Sequence, residues 1–371
     1  MPAARAHSLQ HGLTPGKLSS HAVAEESSKV ARNAVDSRGS STAVILSKAP
    51  LRLSFFGGGS DFPEIFRHQR GAVLSTAIDA ASHVTAVPLP AGLFEQPIRL
   101  SHEEIERCSK TSEIQHPLFR AAFEQRQLEG PIELHSRGDL PSGSGLGSSS
   151  SFCVALLHAL DALDDRRRDA MELAYEAIEL ERRAAKDAVG CQDQVMAALG
   201  GLRRTDFHAL DDIRSEALPM SPERLRELEA SLALIYVGGR RSAPKIERRK
   251  LDRVEANRRT LHDMVAQVDR ASDLLCGDGP LERFGQLLDE AWQAKRSLAP
   301  GVSTPEIDAL YDNCKRSGAV GAKLLGAGGG GFLLVFAPPE SLGRVIERAA
   351  RPALRPRLAQ PGVGLLSAAP Q

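Results

Sequence analysis

The sequence predicts a mixed α+β fold, and three observations carry that reading. Short β-branched runs such as "AVILSKAPLRLSF" (43–55) and "LALIYV" (232–237) alternate with longer amphipathic stripes of helical period. No long internal repeat divides the chain. Three glycine-rich loops adjoin apolar runs at widely separated places. With 371 residues, 42% of them hydrophobic and 25% charged, the chain can build a sizeable core in one large domain or two.

Residues 1–42 are rich in Ser, Ala and His without an apolar period, and are expected to form a disordered tail. Order begins at Ala43. The stretch "GAVLSTAIDAASHVTAVPLP" (71–90) is near-alternating and reads as strands, and "PIELHS" (131–136) as a short strand. A Gly/Ser loop then runs into a helix carrying Phe152, Leu156, Leu157, Leu160 and Leu163. A second helix follows over about 167–188, with Met171, Ala174, Tyr175 and Ile178 as its stripe. Residues 216–275 are charged and helical around the 232–237 strand, and another helix covers about 280–298. "GAVGAKLLGAGGGGFLLVFAPP" reads as strand, glycine loop, strand. The weakest boundary lies near 205–225, which suggests domains over 43–215 and 216–371.

Composition excludes several classes of partner. Lys+Arg and Asp+Glu are both 47, so the bulk charge gives no argument for nucleic acid or membrane, and any anion site must be local. The five cysteines are scattered without a CxxC pair, which argues against a zinc site or a disulfide framework and fits a reducing compartment. No apolar stretch reaches the roughly 18 residues of a spanning helix. The N-terminus lacks a signal-peptide h-region, so a cytoplasmic protein is expected. Oligomeric state is open.

The loop "PSGSGLGSSSS" (141–151) lies between a strand and a helix. Free N–H groups and the positive end of the helix dipole suit a phosphate there, although serines capping a helix after a flexible turn would look similar. The loop lacks the terminal Gly-Lys-Ser/Thr of a Walker A motif, and its G-x-G-x-G spacing is not the dinucleotide fingerprint. In "GCQDQVMAALGG" (190–201), Asp193 follows the second helix through a short turn. Glu181 continues that helix's apolar stripe, so a carboxylate stands where an apolar residue is expected. Glu181 with a loop serine would meet magnesium's preference for few protein oxygens plus nucleotide phosphates, unless Glu181 is merely solvated at a helix end. The four glycines of "KLLGAGGGGFLLVF" (323–336) permit close backbone approach or a tight hairpin. The three of "LSFFGGGSDFPEIF" fit a hairpin, a phosphate cradle or a substrate pocket.

Together "PSGSGLGSSSS", "GCQDQ" and "LLGAGGGGF", in this order, resemble the three motifs of the GHMP small-molecule kinases over about residues 43–340. Within that superfamily, "APLRLSFFGGGSDFPEIF", "GGRRSAPKI" and "AWQAKRSLAPGVSTPEIDALYDNCKRSGAVGAKLLGAGGGGF" look like D-glycero-D-manno-heptose 7-phosphate kinases. The resemblance implies an N-domain like ribosomal protein S5 domain 2, a ferredoxin-like C-domain and an active site between them, using ATP and Mg2+. It places ATP phosphates on Pro141, Gly143, Ser144, Gly145, Leu146, Gly147, Ser148 and Ser149. Asp193 occupies the catalytic aspartate position and Arg52 the basic position beside it. Glu181 and Ser149, with Ser148 as competitor, would hold the metal. Gly58, Gly59, Ser60 and Asp61 would meet the sugar, with Gly328 and Gly329 of the third loop. A sugar phosphate needs a further cation, for which Arg241 is expected, with Arg240, Lys245, Arg203 and Arg204 behind it. The alternatives are another sugar 1-kinase, fucokinase-like or for a uronate, and a non-catalytic sugar- and nucleotide-binding regulator of the same fold.

Overall fold

The computed structural model describes residues 44–185, 189–239 and 243–366. The tail expected over 1–42 lies outside the described residues, as do Arg240 and Arg241. The chain begins with β1 (Ile45–Phe56), the short α1 (Pro63–Phe66) and β2 (Gly71–Pro88), followed by β3 (Ile98–Ser101), β4 (Ile105–Cys108), α2 (Pro117–Arg126) and β5 (Ile132–Gly138). Helices α3 (Ser148–Leu163), α4 (Ala170–Ala184) and α5 (Gln192–Leu199) come next, then the hairpin β6 (Leu202–Ala209) and β7 (Asp212–Ala217). After α6 (Pro222–Ala230), β8 (Leu232–Gly238), α7 (Ala243–Leu251), α8 (Val254–Cys276), α9 (Glu282–Ser297) and α10 (Pro305–Arg316), the chain forms β9 (Gly321–Leu324) and β10 (Gly331–Phe336). It closes with α11 (Pro339–Ala349), β11 (Ala353–Leu354) and β12 (Gly364–Leu365).

Among the described residues the strands form two sheets, one of eight and one of four. The first has the order β12-β1-β2-β5-β3-β4, with β6 and β7 attached to β2. The single strand β2 occupies most of the 71–90 stretch and changes partner along one edge. Residues 71–76 pair with β6, and residues 82–88 pair with β5. The hairpin β6–β7 was not anticipated. Its residues are mostly charged or polar, and pairing against the buried start of β2 overrides their weak strand propensity. β12 returns from the end of the described chain to pair with β1.

The second sheet is antiparallel, in the order β11-β8-β10-β9. It is buried on both faces, and its period-2 alternation assigns each side chain to a core. Leu232 and Leu234 of β8, with Phe332, Leu334 and Phe336 of β10, pack on Leu51, Leu53 and Phe55 of β1 and on α8 and α9. Ala233, Ile235, Leu333 and Val335 face the other way, onto α10 and α11. A separate core joins the first sheet to α2, α3, α4 and α5.

Helix α3 begins at Gly147, in the left-handed region at φ 77°, with no side-chain cap. The serines therefore do not cap the helix, and its first N–H groups have no side-chain acceptor. Helix α4, in contrast, opens with a full capping box between Asp169 and Glu172.

Candidate active site

A cleft of ≈ 380 Å³ is lined by the ends of β1, the 141–151 loop, α4, the start of α5, α7, α9 and the third glycine loop. Arg52 and Asp193 meet at its centre. The guanidinium Nε donates to Asp193 Oδ1 at 2.7 Å and Nη2 to Oδ2 at 2.7 Å, while Nη1 donates to the Gly145 carbonyl at 2.7 Å. Arg52 is thus a bidentate clamp on the aspartate and a tie to the glycine loop. Three of its five N–H groups are committed and two remain. A Cβ on Gly147 would stand 3.0 Å from Asp193 Oδ2 and 3.3 Å from Arg52 Cγ, so the loop can approach the pair only with glycine there.

Glu181 is buried at the end of α4. Burial pushes its carboxyl up, against hydrogen bonds from Ser150, Ser149 and Gln194, the last of 2.7 Å. It is therefore not a solvated helix end. Among the described residues no three His, Cys, Asp or Glu side chains cluster to make a metal cage. A single buried carboxylate beside two loop hydroxyls suits Mg2+ shared with nucleotide phosphates, and fits a nucleotide-borne metal at Glu181 with Ser149. The loop itself fits a polyphosphate. Gly143, Gly145 and Gly147 all have positive φ, uncapped N–H groups open α3, and a Cβ at Gly143 would meet open space.

Asp61 forms the other wall. Its Oδ1 accepts from Gly59 N (2.9 Å) and Gln192 Nε2 (3.2 Å), and Oδ2 accepts from Gln192 N (3.2 Å). Burial, and then the negative charge of Asp193, raises Asp61 from its ordinary 3.8 to about 6. A Cβ on Gly190 would land on this carboxylate, which explains the glycine at that turn. Ser54 Oγ and Gln192 Oε1 are buried, their residues line the same cleft, and among the described residues neither atom has a hydrogen-bond partner.

The cleft thus brings together Arg52, Asp193, Glu181, Gly58, Gly59, Asp61, Gly143, Gly145, Gly147, Ser148, Ser149 and Gly328. Other expected site residues stand differently. Ser60 turns inward, donating to the Gly57 carbonyl and paired with the backbone of Ala72. Leu146 joins the inter-sheet core, and its carbonyl accepts from Arg52 N. Ser144 is buried with its hydroxyl unpartnered, Pro141 is exposed, and neither lines the cleft. Gly329 docks the third loop by donating to the Val302 carbonyl. Of the secondary cationic candidates, Arg204 pairs with Asp206 and Asp269 on the β6 side, Arg203 bonds Ser215 of β7, and Lys245 is exposed outside the cleft.

Lys250, Lys295 and Lys323, together with Gln192, Ser54 and Ser150, line the cleft without having been anticipated. A signal for two of the lysines was present. Lys323 interrupts the apolar run around 322–325, and Lys295 stands one heptad after Leu288 on the buried stripe of α9.

Residues 100–201 match the GHMP kinases N-terminal domain, and residues 271–353 the GHMP kinases C-terminal domain. A D-glycero-alpha-D-manno-heptose 7-phosphate kinase of Campylobacter jejuni is 28% identical over 312 residues, covering 80% of this chain and 90% of the relative. A galactokinase of Thermococcus kodakarensis is also 28% identical, over 335 residues, covering 80% of this chain and 91% of the relative. Among solved structures, a D-glycero-D-manno-heptose 1-phosphate kinase from Bacteroides thetaiotaomicron superposes with a TM-score of 0.71 at 22% identity, covering 87% of this chain and 99% of its own. No helix among the described residues is long and apolar enough to cross a membrane. With both domains of the family matched in order on the family's two-domain fold, the chain belongs to the GHMP kinases and is an ATP-dependent kinase.

Proposed function

We propose that this kinase phosphorylates the anomeric hydroxyl of a heptose 7-phosphate, the D-glycero-D-manno sugar, to give the 1,7-bisphosphate. The observation that carries the reading is the Arg52–Asp193 clamp, set between a glycine loop fit for phosphates and the acceptor-side wall at Asp61. The 28% identical heptose 7-phosphate kinase supports the choice of sugar. We assign residues 43–215 as the domain carrying the phosphate loop and 216–371 as the second domain, although β12 near the chain's end pairs back onto β1 of the first sheet.

Asp193 takes the proton of the acceptor hydroxyl as that oxygen bonds to the γ-phosphorus of ATP and the bond to the β,γ-bridging oxygen breaks, leaving ADP. Arg52 fixes both Asp193 oxygens and directs its two remaining N–H groups at charge developing on the transferred phosphoryl. The N–H groups opening α3 hold the nucleotide phosphates. Glu181 and Ser149 would hold Mg2+, which supplies charge neutralisation between the nucleotide phosphates. Asp61, with Ser54 and Gln192, accepts and donates hydrogen bonds to sugar hydroxyls.

The second reading is a 1-kinase for an unphosphorylated sugar, favoured by the galactokinase relative. ADP release measured across free sugars and sugar phosphates tests both. Turnover confined to the heptose 7-phosphate supports the first, and preference for a free sugar the second.

A further inference from the structure

The mechanism above leaves three buried cations of the cleft unused. Lys250, Lys295 and Lys323 are 8%, 5% and 2% exposed. Lys323 takes an inter-sheet position on β9, where its partner residue Leu334 belongs to the apolar core. Its Nζ donates to the Ser54 carbonyl (3.0 Å) and the Phe55 carbonyl (2.5 Å). Lys295 Nζ donates to the Leu324 carbonyl (2.8 Å) and the Gly326 carbonyl (2.5 Å). Lys250 Nζ meets Glu247 Oε1 at 3.0 Å. Among the described residues, neither Lys295 nor Lys323 has a carboxylate partner.

Burying cations is costly unless they are paired, and here the carboxylate of Glu247, bonded to Lys250, is the charge that also offsets Lys295. Burial pushes Lys323 down to about 7, helped by the charges of Arg52 and Lys250. Burial also holds Lys295 well below the usual lysine range, helped by Lys250 and Lys323. An ammonium has three N–H groups, so Lys295 and Lys323 each retain one and Lys250 two. Clamping four carbonyls explains the committed bonds. It does not explain why mutually repelling charges gather on the wall of an open cleft, whereas an anion in that cleft would offset their burial.

Position decides which anion. The nucleotide phosphates already have the uncapped α3 N–H groups, Arg52 and the metal that Glu181 would hold. Lys250 lies instead on the acceptor side, sharing a small cavity with Gly59 and Phe62, the neighbours of Asp61. Lys323 holds the backbone of Ser54, whose unpartnered hydroxyl faces the same cleft. We propose that Lys250, Lys295 and Lys323 form a second anion subsite, which binds the phosphate that the acceptor sugar itself carries. This rests on the kinase reading given above, with Asp61 on the acceptor side, and makes the lysines the specificity determinant for a phosphorylated acceptor.

Lys250→Met is the variant of choice, because Lys250 holds no backbone carbonyl. The kcat/KM ratio of D-glycero-D-manno-heptose 7-phosphate over unphosphorylated D-glycero-D-manno-heptose is expected to fall at least about tenfold, the scale of one charge-assisted hydrogen bond. The KM for ATP should change far less, and Lys250→Arg should recover part of the ratio. In the absence of nucleotide, inorganic phosphate should raise the melting temperature of the wild-type protein more than that of Lys250→Met. A wild-type enzyme that uses the heptose 7-phosphate, with an unchanged ratio in the variant, overturns the lysine assignment alone. So does a variant whose main defect is in ATP KM. A wild-type enzyme that turns over only unphosphorylated sugars overturns the lysine subsite and the heptose-phosphate reading together.

Discussion

Arg52 and Asp193 are 141 positions apart in sequence, yet they share two parallel N–H···O bonds of 2.7 Å in the centre of the cleft. An exposed ion pair of this kind would contribute little, but Arg52 is 5% exposed and its third bond ties the pair to Gly145. Asp193→Asn keeps the shape and removes the proton acceptor. Turnover should fall about 10²–10⁴-fold while the KM for ATP changes little. Arg52→Lys cannot reproduce the fork and should lose turnover too, with both effects read from steady-state kinetics.

Glu181→Gln keeps the hydrogen-bonding shape around Ser149, Ser150 and Gln194 but removes the charge. The Mg2+ concentration giving half-maximal rate should rise about tenfold or more, a scale set by losses of metal-site partners. A magnesium titration at saturating ATP reads it. An unchanged half-point with reduced rate would assign Glu181 a purely structural part.

Asp61 makes a pH prediction. Its folded value of about 6 lies above its ordinary 3.8, so its contribution to stability is full below 3.8 and is lost as pH rises through about 6. At neutral pH the ionised form is held at a cost of about 3 kcal/mol. Sugar hydroxyls need that ionised acceptor, so the sugar KM should rise as pH falls below about 6. Asp61→Ala should raise the sugar KM far more than that of ATP and flatten this dependence. A sugar KM in the alanine variant with the wild-type pH profile would remove Asp61 from sugar binding.

The phosphate loop and the third glycine loop touch through their backbones. A Cβ on Gly145, at φ 82°, would come within 2.8 Å of the Leu325 carbonyl oxygen, and one on Gly326 within 2.5 Å of Gly145 Cα. Gly145→Ala should therefore lower stability by more than the roughly 1–2 kcal/mol of left-handed strain alone, seen as a reduced melting temperature. ATP KM should rise with it.

Much of this site could be read from the chain. Glu181 stands out in the chain because a carboxylate breaks an apolar stripe, whereas Asp193 alone reads as a cap or turn residue and takes its role only from the resemblance of the three motifs to the GHMP kinases. The lysines escaped for a tertiary reason. Residues 250, 295 and 323 sit on α7, α9 and β9, and only the packing of the second sheet against β1 brings them to one wall. Gln192 was passed over in favour of its neighbour, yet it supplies two of the three donors that hold Asp61. Serine capping is the alternative to a phosphate loop over 141–151, but Gly147 takes the N-cap position, and two of the serines turn instead to Glu181. Local chemistry was legible where one residue contradicted its own element, and hidden where several elements had to converge.

The most direct test is phosphorus NMR of the product formed from D-glycero-D-manno-heptose 7-phosphate and MgATP. The proposed chemistry predicts a new anomeric phosphate resonance beside the retained 7-phosphate, appearing in step with ADP. No bisphosphate from that sugar, with active phosphorylation of a free sugar under the same conditions, would contradict it.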